Sequence, residues 1–262
     1  MVYTPSKAQQ SGQPSATTKR MAAFDVVRGF SVISMVLFHF CYDLRFIYGY
    51  DLDFFKPPFQ DIWRASISWT FLFIAGCMCS FSRNGYKRAL RYLAAAAAVF
   101  VVTTIVAVDV PISFGIIFCM GASTLIESFL AHHGVVLKGL PTAALLFVAF
   151  IAFQGVTRGY IGIGSLVVHL PRALYATPYL SFLGFPGGGF ASGDYYPILP
   201  YTLMFLVGTS VGRYWKETGY PSFFSKVDCK PLAFVGRYAL PVYLAHQPLL
   251  IGVCELLELI GN

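Results

Sequence analysis

The sequence predicts an all-α integral membrane protein, a single bundle of about seven transmembrane helices, on three observations. Hydrophobic residues make up 56% of the 262 residues and charged residues only 12%, against roughly 25% charged in an ordinary soluble domain. The mean hydropathy is +0.65. The apolar residues are also grouped in windows of roughly 20, the length of helix that crosses a bilayer.

Seven apolar windows follow a polar N-terminal segment. Residues 1–20 are rich in Ser, Gln and Thr and contain no apolar run, so we expect a disordered cytoplasmic tail. Residues 21–262 then form one transmembrane domain, because a row of spans packs as one bundle. The windows are 24–46, 62–81, 89–108, 111–131, 140–156, 197–215 and 231–257.

Positive charge alternates between the connections of these windows. Lys and Arg are concentrated before the first window and after the second, fourth and sixth, whereas the other connections are mixed or acidic. This bias predicts a multi-pass protein of the cell membrane with a cytoplasmic N-terminus and an extracytoplasmic C-terminus. It also accounts for the net charge of +7, so we expect membrane lipid and no nucleic acid as a partner. A homo-oligomer is compatible with the sequence.

The connection 157–196 is too long for a simple loop. Its apolar, partly amphipathic stretch 161–185 carries Pro171 and Pro178, and Pro186 and three glycines follow it. An eighth span here would upset the charge pattern, so we predict an interfacial or re-entrant segment on the outer face. Long connections on a rigid scaffold often act as lids or binding loops.

Several residues indicate packing rather than chemistry. Of the six cysteines, five lie in predicted spans, and their spacing fits no zinc or disulfide framework. We therefore expect no metal and no disulfide. Gly208 and Gly212 form a GxxxG element, which is typical of closely packed membrane helices.

The first window carries ionisable residues within its apolar run. Such groups cost roughly 2.5–3.5 kcal/mol each at the membrane centre, so they tend to face a protein interior or a water-filled cavity. At about 100° per residue, Arg28 and His39 point within about 20° of the same direction, and Asp25 and Asp43 within about 60° of it. A rise of about 1.5 Å per residue separates Arg28 from His39 by about 16 Å. This face can contact one elongated ligand, although Arg28 could instead snorkel to the cytoplasmic interface.

A second intramembrane histidine, His246, lies in the seventh window between Pro241 and Pro248. Counting about 1.5 Å per residue from the start of each window places His39 and His246 at one depth, about 20 Å from the inner boundary. The prolines would kink the helix and free backbone carbonyls. We predict that the first and seventh spans pack together and that both imidazoles line one polar cavity. A packing role in a proline-kinked span is the alternative.

The outer mouth of that cavity is predicted near Asp194, and its cytoplasmic mouth past Arg28. Asp194 and Tyr195 lie where the long connection enters the sixth window, in the sequence DYYPILP. They are candidates for hydrogen bonds to a polar substrate, and Tyr243 and Gln247 of the seventh window are assigned the same substrate-binding role. A turn followed by proline at the first helical position is the alternative.

Five motifs of the sequence belong together: DVVRGF (25–30), MVLFHF (35–40), FLFIAG (71–76), DYYPILP (194–200) and GRYALPVYLAHQP (236–248). Taken jointly, they resemble the bacterial family related to the catalytic domain of heparan-alpha-glucosaminide N-acetyltransferase, over about residue 21 to the C-terminus. The step from Arg28 to His39 is also similar to the Arg and His pair on the first span of membrane O-acetyltransferases that modify cell-wall and lipopolysaccharide sugars.

The resemblance implies a membrane acyltransferase that moves an acetyl group from cytosolic acetyl-CoA to a hydroxyl or amine of a cell-envelope glycan or aminosugar. Arg28, paired with Asp25, would bind the phosphate of the donor. Neutral imidazole suits proton abstraction at neutral pH, so His39 would be the base, with His246 in the same catalytic group. Asp43, one helical turn after His39, would orient it.

One departure from the family concerns the base. The lysosomal enzyme places its proposed catalytic histidine in the first lumenal loop, whereas no histidine occurs here between His39 and His132. The loop 47–61 therefore does not supply the base, and the resemblance to the O-acetyltransferases assigns that role to His39. Two other classes stay open: a transporter or proton-linked permease using the same residues as a relay, and a structural assembly partner in which they are dispensable.

Overall fold

The computed structural model describes residues 16–82, 84–107 and 109–261, and helices dominate this part of the chain. Five of the helical segments in it are long and apolar enough to cross a membrane, and α4, with 17 residues, is a shorter apolar helix. The predicted class, an all-α integral membrane protein, is confirmed. The helices are α1 (Ala16–Tyr42), α2 (Phe59–Cys77), α3 (Gly85–Val106), α4 (Ile116–His132), α5 (Leu140–Ala152), α6 (Ile198–Thr218), α7 (Lys230–Arg237) and α8 (Ala239–Gly261).

Helix α1 extends beyond the first predicted window at its N-terminal end. Residues 1–15 of the predicted tail lie outside the described residues, and residues 16–20 are helical. At its other end α1 continues into a π-helical turn, Asp43–Ile47. This turn winds more widely than an α-helix, which changes the direction in which its side chains point.

The seventh predicted window is two helices rather than one. Helix α7 ends at Arg237, and α8 begins two residues later at Ala239. Pro241 explains the break, because its ring would collide with the carbonyl of Arg237, four residues earlier, in a continuous helix. Pro248 is accommodated inside α8.

The connection 157–196 folds as a β-hairpin followed by 3₁₀ turns. Strands β1 (Tyr160–Ile163) and β2 (Leu166–His169) pair antiparallel. Gly162 permits the pairing, since it has a φ of +154° and a Cβ there would lie 1.9 Å from the Leu166 carbonyl oxygen. Strand β2 is exposed along its length, with Leu166 81% exposed. The interfacial or re-entrant placement of this segment stays a prediction.

Glycines bring helices α2 and α6 into close contact. A Cβ at Gly208 would lie 2.0 Å from the Phe73 carbonyl oxygen, and one at Gly76 would lie 1.9 Å from that of Phe205. The GxxxG element of α6 therefore packs directly on α2, as its sequence predicts. This contact fixes α2 and α6 beside each other, and α2 in turn provides one wall of the cavity described next.

Candidate active site

A cavity of about 580 Å³ lies between α1, α2, α3, α4 and the α7–α8 pair. Apolar side chains line its middle. We call the end near the start of α1 the inner end and the end near the close of α1 the outer end. The inner end is lined by Arg28, Arg88, Gly236 and Arg237, and the outer end by His39, Gln60, Asp61, Arg64, Asp194 and Tyr195.

Two glycines build the inner end by bringing α1 against α7. A Cβ at Gly29 would lie 1.9 Å from the Leu232 carbonyl oxygen. At this crossing an Arg28 Nη1–H donates to Asp25 Oδ1 at 3.0 Å and to the carbonyl of Gly236 at 3.2 Å. The predicted pair of Asp25 and Arg28 is present, and the guanidinium is packed against α7, with 21% of the side chain exposed.

Arg88 is a lining residue that sequence reasoning assigned only to a positively charged connection. It lies in the first turn of α3, where an Nη2–H donates to the Ala75 carbonyl of α2 at 2.7 Å. Its guanidinium carbon lies 5.7 Å from the centre of the Tyr92 ring. An arginine four residues before a tyrosine on one helix face is the signal that could have found it.

His39 lines the outer end of the cavity, and a hydrogen bond to its own helix orients the ring. Its Nδ1 lies 2.9 Å from the Met35 carbonyl oxygen. Because a carbonyl only accepts, Nδ1 carries the hydrogen and Nε2 keeps a free lone pair in the neutral ring. The local helix thus presents a fixed tautomer to the cavity.

His246 lies against His39, as the equal depths predict. The two ring centres are 4.8 Å apart, far inside the about 15 Å that a shared site tolerates. Only His39 lines the cavity, however, since His246 is 8% exposed and is packed behind it. His246 Nδ1 lies 2.5 Å from the Tyr243 carbonyl, and its buried Nε2 has no hydrogen-bond partner among the described residues.

Asp43 does not orient His39, contrary to the sequence prediction. Its fully buried carboxylate accepts from Gln247 Nε2 at 2.8 and 3.0 Å. No hydrogen bond joins it to His39 within the described part of the chain. Gln247 of α8 bonds both carboxylate oxygens, and helical spacing within α1 gives no sign of that contact.

Gln247, which was predicted to bind substrate, does not line the cavity. Its amide is engaged by Asp43. The hydrogen bonds between these two side chains instead join the end of α1 to α8, beside the contact of the two histidines.

We expect Gln247→Leu to destabilise the protein by about 1.5–3 kcal/mol, because it leaves a buried carboxylate without its donor. The measurement is the free energy of unfolding in detergent, for this variant, for Asp43→Leu, which removes the acceptor, and for the double variant. The costs should couple rather than add, since both changes break one contact. Additive changes in the free energy of unfolding would mean that the two side chains do not interact.

The other predicted substrate-binding residues do line the cavity. Asp194 Oδ2 accepts the N–H of Ile116 at 3.0 Å, which places the carboxylate at the N-terminus of α4. Burial raises the pKa of Asp194, and this hydrogen bond opposes the rise. The Tyr195 hydroxyl donates to the Ser181 carbonyl at 2.6 Å. Tyr243 reaches the cavity from α8.

The fold and site define a polytopic membrane protein with a cationic end and an imidazole end to a single cavity. The chain matches the family model described as heparan-alpha-glucosaminide N-acetyltransferase, catalytic, over residues 20–248. This match covers most of the chain, so the chain belongs to that family. The family implies a membrane N-acetyltransferase-like function. Neither the curated proteins nor the solved structures gave a match.

Proposed function

We propose that the protein transfers an acetyl group from cytosolic acetyl-CoA to an amine or hydroxyl of a glycan or aminosugar on the other side of the membrane. One observation carries the proposal: one cavity is lined by three arginines at its inner end and by the imidazole of His39 at its outer end, where Arg64 is accompanied by the acidic Asp61 and Asp194. The phosphates and the thioester of acetyl-CoA lie at opposite ends of that molecule, so such a cavity suits it.

The inner end suits the phosphates of the donor. Guanidinium groups bind phosphate through paired N–H donors. Arg28 is held in place by Asp25 and by the Gly236 carbonyl, so its geometry is set before a ligand arrives. About 16 Å of helix separates Arg28 from His39, and the donor would extend along this length. The charge pattern of the connections supports a cytoplasmic position for this end.

At the outer end, His39 Nε2 takes the proton of the attacking amine or hydroxyl. The acceptor atom forms a bond to the thioester carbonyl carbon, and the carbon–sulfur bond breaks. His39 then returns the proton to the departing sulfur, which leaves as the thiol of CoA. The ring is neutral again and no other reactant is consumed. Asp194 and Tyr243, which both line the cavity, would hold the acceptor sugar by hydrogen bonds.

The test is transfer across a membrane. The full-length chain is reconstituted in sealed vesicles, with radiolabelled acetyl-CoA on one side and glucosamine or a hydroxyl-bearing sugar on the other. We expect acetylated sugar when the donor is on the side of the N-terminus. Sugar that crosses without being acetylated would favour the permease alternative, and no label on any acceptor would contradict the proposal.

A further inference from the structure

Positive charge at the inner end exceeds what the protein neutralises. Three of its lining residues are arginines, and none of its described lining residues is acidic. Arg28 and Arg237 share Asp25, at 3.0 and 3.4 Å. Arg88 has no carboxylate within ion-pair distance in the described part of the chain.

Arg213 is a largely buried arginine of this bundle that does have a carboxylate partner. Arg213 of α6 forms an ion pair with the buried Glu127 of α4. Arg88 instead has neutral partners, the Ala75 carbonyl and the Tyr92 ring, and a long contact to the Cys79 sulfur at 3.9 Å. A guanidinium has five N–H donors, so these partners leave some of them unused.

We propose that Arg88 and Arg28 together form an anion site that takes a phosphate or diphosphate ester. The inference deepens the proposed function, on which it rests for the statement that the ester belongs to the acyl donor. The two guanidinium groups come from different helices, α3 and α1, and their charges are near enough to interact. Two separate guanidinium groups can bind several oxygens at once, so they suit a diphosphate ligand better than a ligand with a single carboxylate.

The site is built before the ligand arrives. The Ala75 carbonyl and the Tyr92 ring fix the Arg88 side chain, while Asp25 and the Gly236 carbonyl fix Arg28. Fixed donors lose little conformational freedom when they bind an anion. The chemical consequence is selectivity: a donor that carries phosphate binds more tightly than a thioester of bare pantetheine.

The experiment measures binding of CoA, inorganic pyrophosphate and pantetheine to the full-length chain in detergent by calorimetry. We expect Arg88→Gln to weaken CoA and pyrophosphate by about 10-fold or more, and Arg88→Lys to restore part of this affinity. Arg91→Gln is the matched control, because Arg91 is exposed on the same helix and does not line the cavity. It should bind all three ligands as the unmodified protein does.

Two results would overturn the anion site. One is CoA affinity that is unchanged in both Arg88 variants. The other is an equal loss for CoA and pantetheine, which would mean that Arg88 only holds α3 to α2. If Arg88→Gln does not fold, Arg88→Lys still decides, because it can keep the bond to Ala75 but loses the fork. Arg88-dependent pyrophosphate binding without acetyl transfer in vesicles would contradict the proposed function and support the anion site.

Discussion

Replacing His39 by alanine is expected to lower the turnover of acetyl transfer by about 10²–10⁴-fold, the usual contribution of a positioned general base. The affinity for CoA should stay unchanged, because the phosphates bind at the other end of the cavity. The measurements are single-turnover transfer in vesicles and calorimetric CoA binding. His39→Asn is the sharper variant, since its amide can keep the bond to the Met35 carbonyl but has no counterpart of Nε2.

His133 provides a matched control for this prediction. Its Nδ1 lies 2.9 Å from the carbonyl of Phe129, the same contact with the residue four positions earlier that His39 makes, and it does not line the cavity. His133→Asn should leave both turnover and CoA binding unaltered. Full activity in His39→Asn would move the base elsewhere, and the nearest titratable ring is then His246.

Much of the fold could be predicted from the sequence, because membrane spans are set mainly by the length and polarity of apolar runs. The apolar windows did not predict the π-helical end of the first span or the break within the seventh. A π-helical turn after Tyr42 and a break at Tyr238 both depend on local backbone geometry, and hydropathy is insensitive to that. Pro241 did predict a kink in the seventh span, and in the structure the chain before it forms a separate helix, α7.

The site was predictable where a single helix carries it. The shared direction of Arg28 and His39 follows from helical periodicity alone, and both line one cavity. Contacts between helices were beyond such reasoning. Asp43 accepts a hydrogen bond from Gln247 on α8, and Arg88 bonds to α2 and lines the cavity. The crossing angles and rotations of neighbouring helices decide these contacts. Depth counting nevertheless placed His246 beside His39, since both spans run in one direction.

The second large effect is expected at the crossing of α1 and α7, which holds the inner end together. A methyl group added at Gly29 would lie 1.9 Å from the Leu232 carbonyl oxygen and 3.0 Å from the Gly236 backbone nitrogen. Both are backbone atoms, so no side-chain rotation relieves the collision and the two helices must separate. We expect Gly29→Ala to destabilise the protein by about 1–3 kcal/mol or more. It should also weaken the binding of CoA, because Arg28 loses its hydrogen bond to the Gly236 carbonyl.

Gly252→Ala is the control for the same chemical change, because nothing lies within 4 Å of a Cβ at Gly252 on α8. It should leave CoA binding unaltered and, by removing a helical glycine, stabilise the protein by about 0.5–1 kcal/mol. The measurements are unfolding in detergent and CoA calorimetry for both variants. If Gly29→Ala matched Gly252→Ala in both, the helices would not cross as closely as described, and the contact of Arg28 with α7 would have to be abandoned. A stability loss with unaltered CoA affinity would separate the two roles and leave the crossing purely structural.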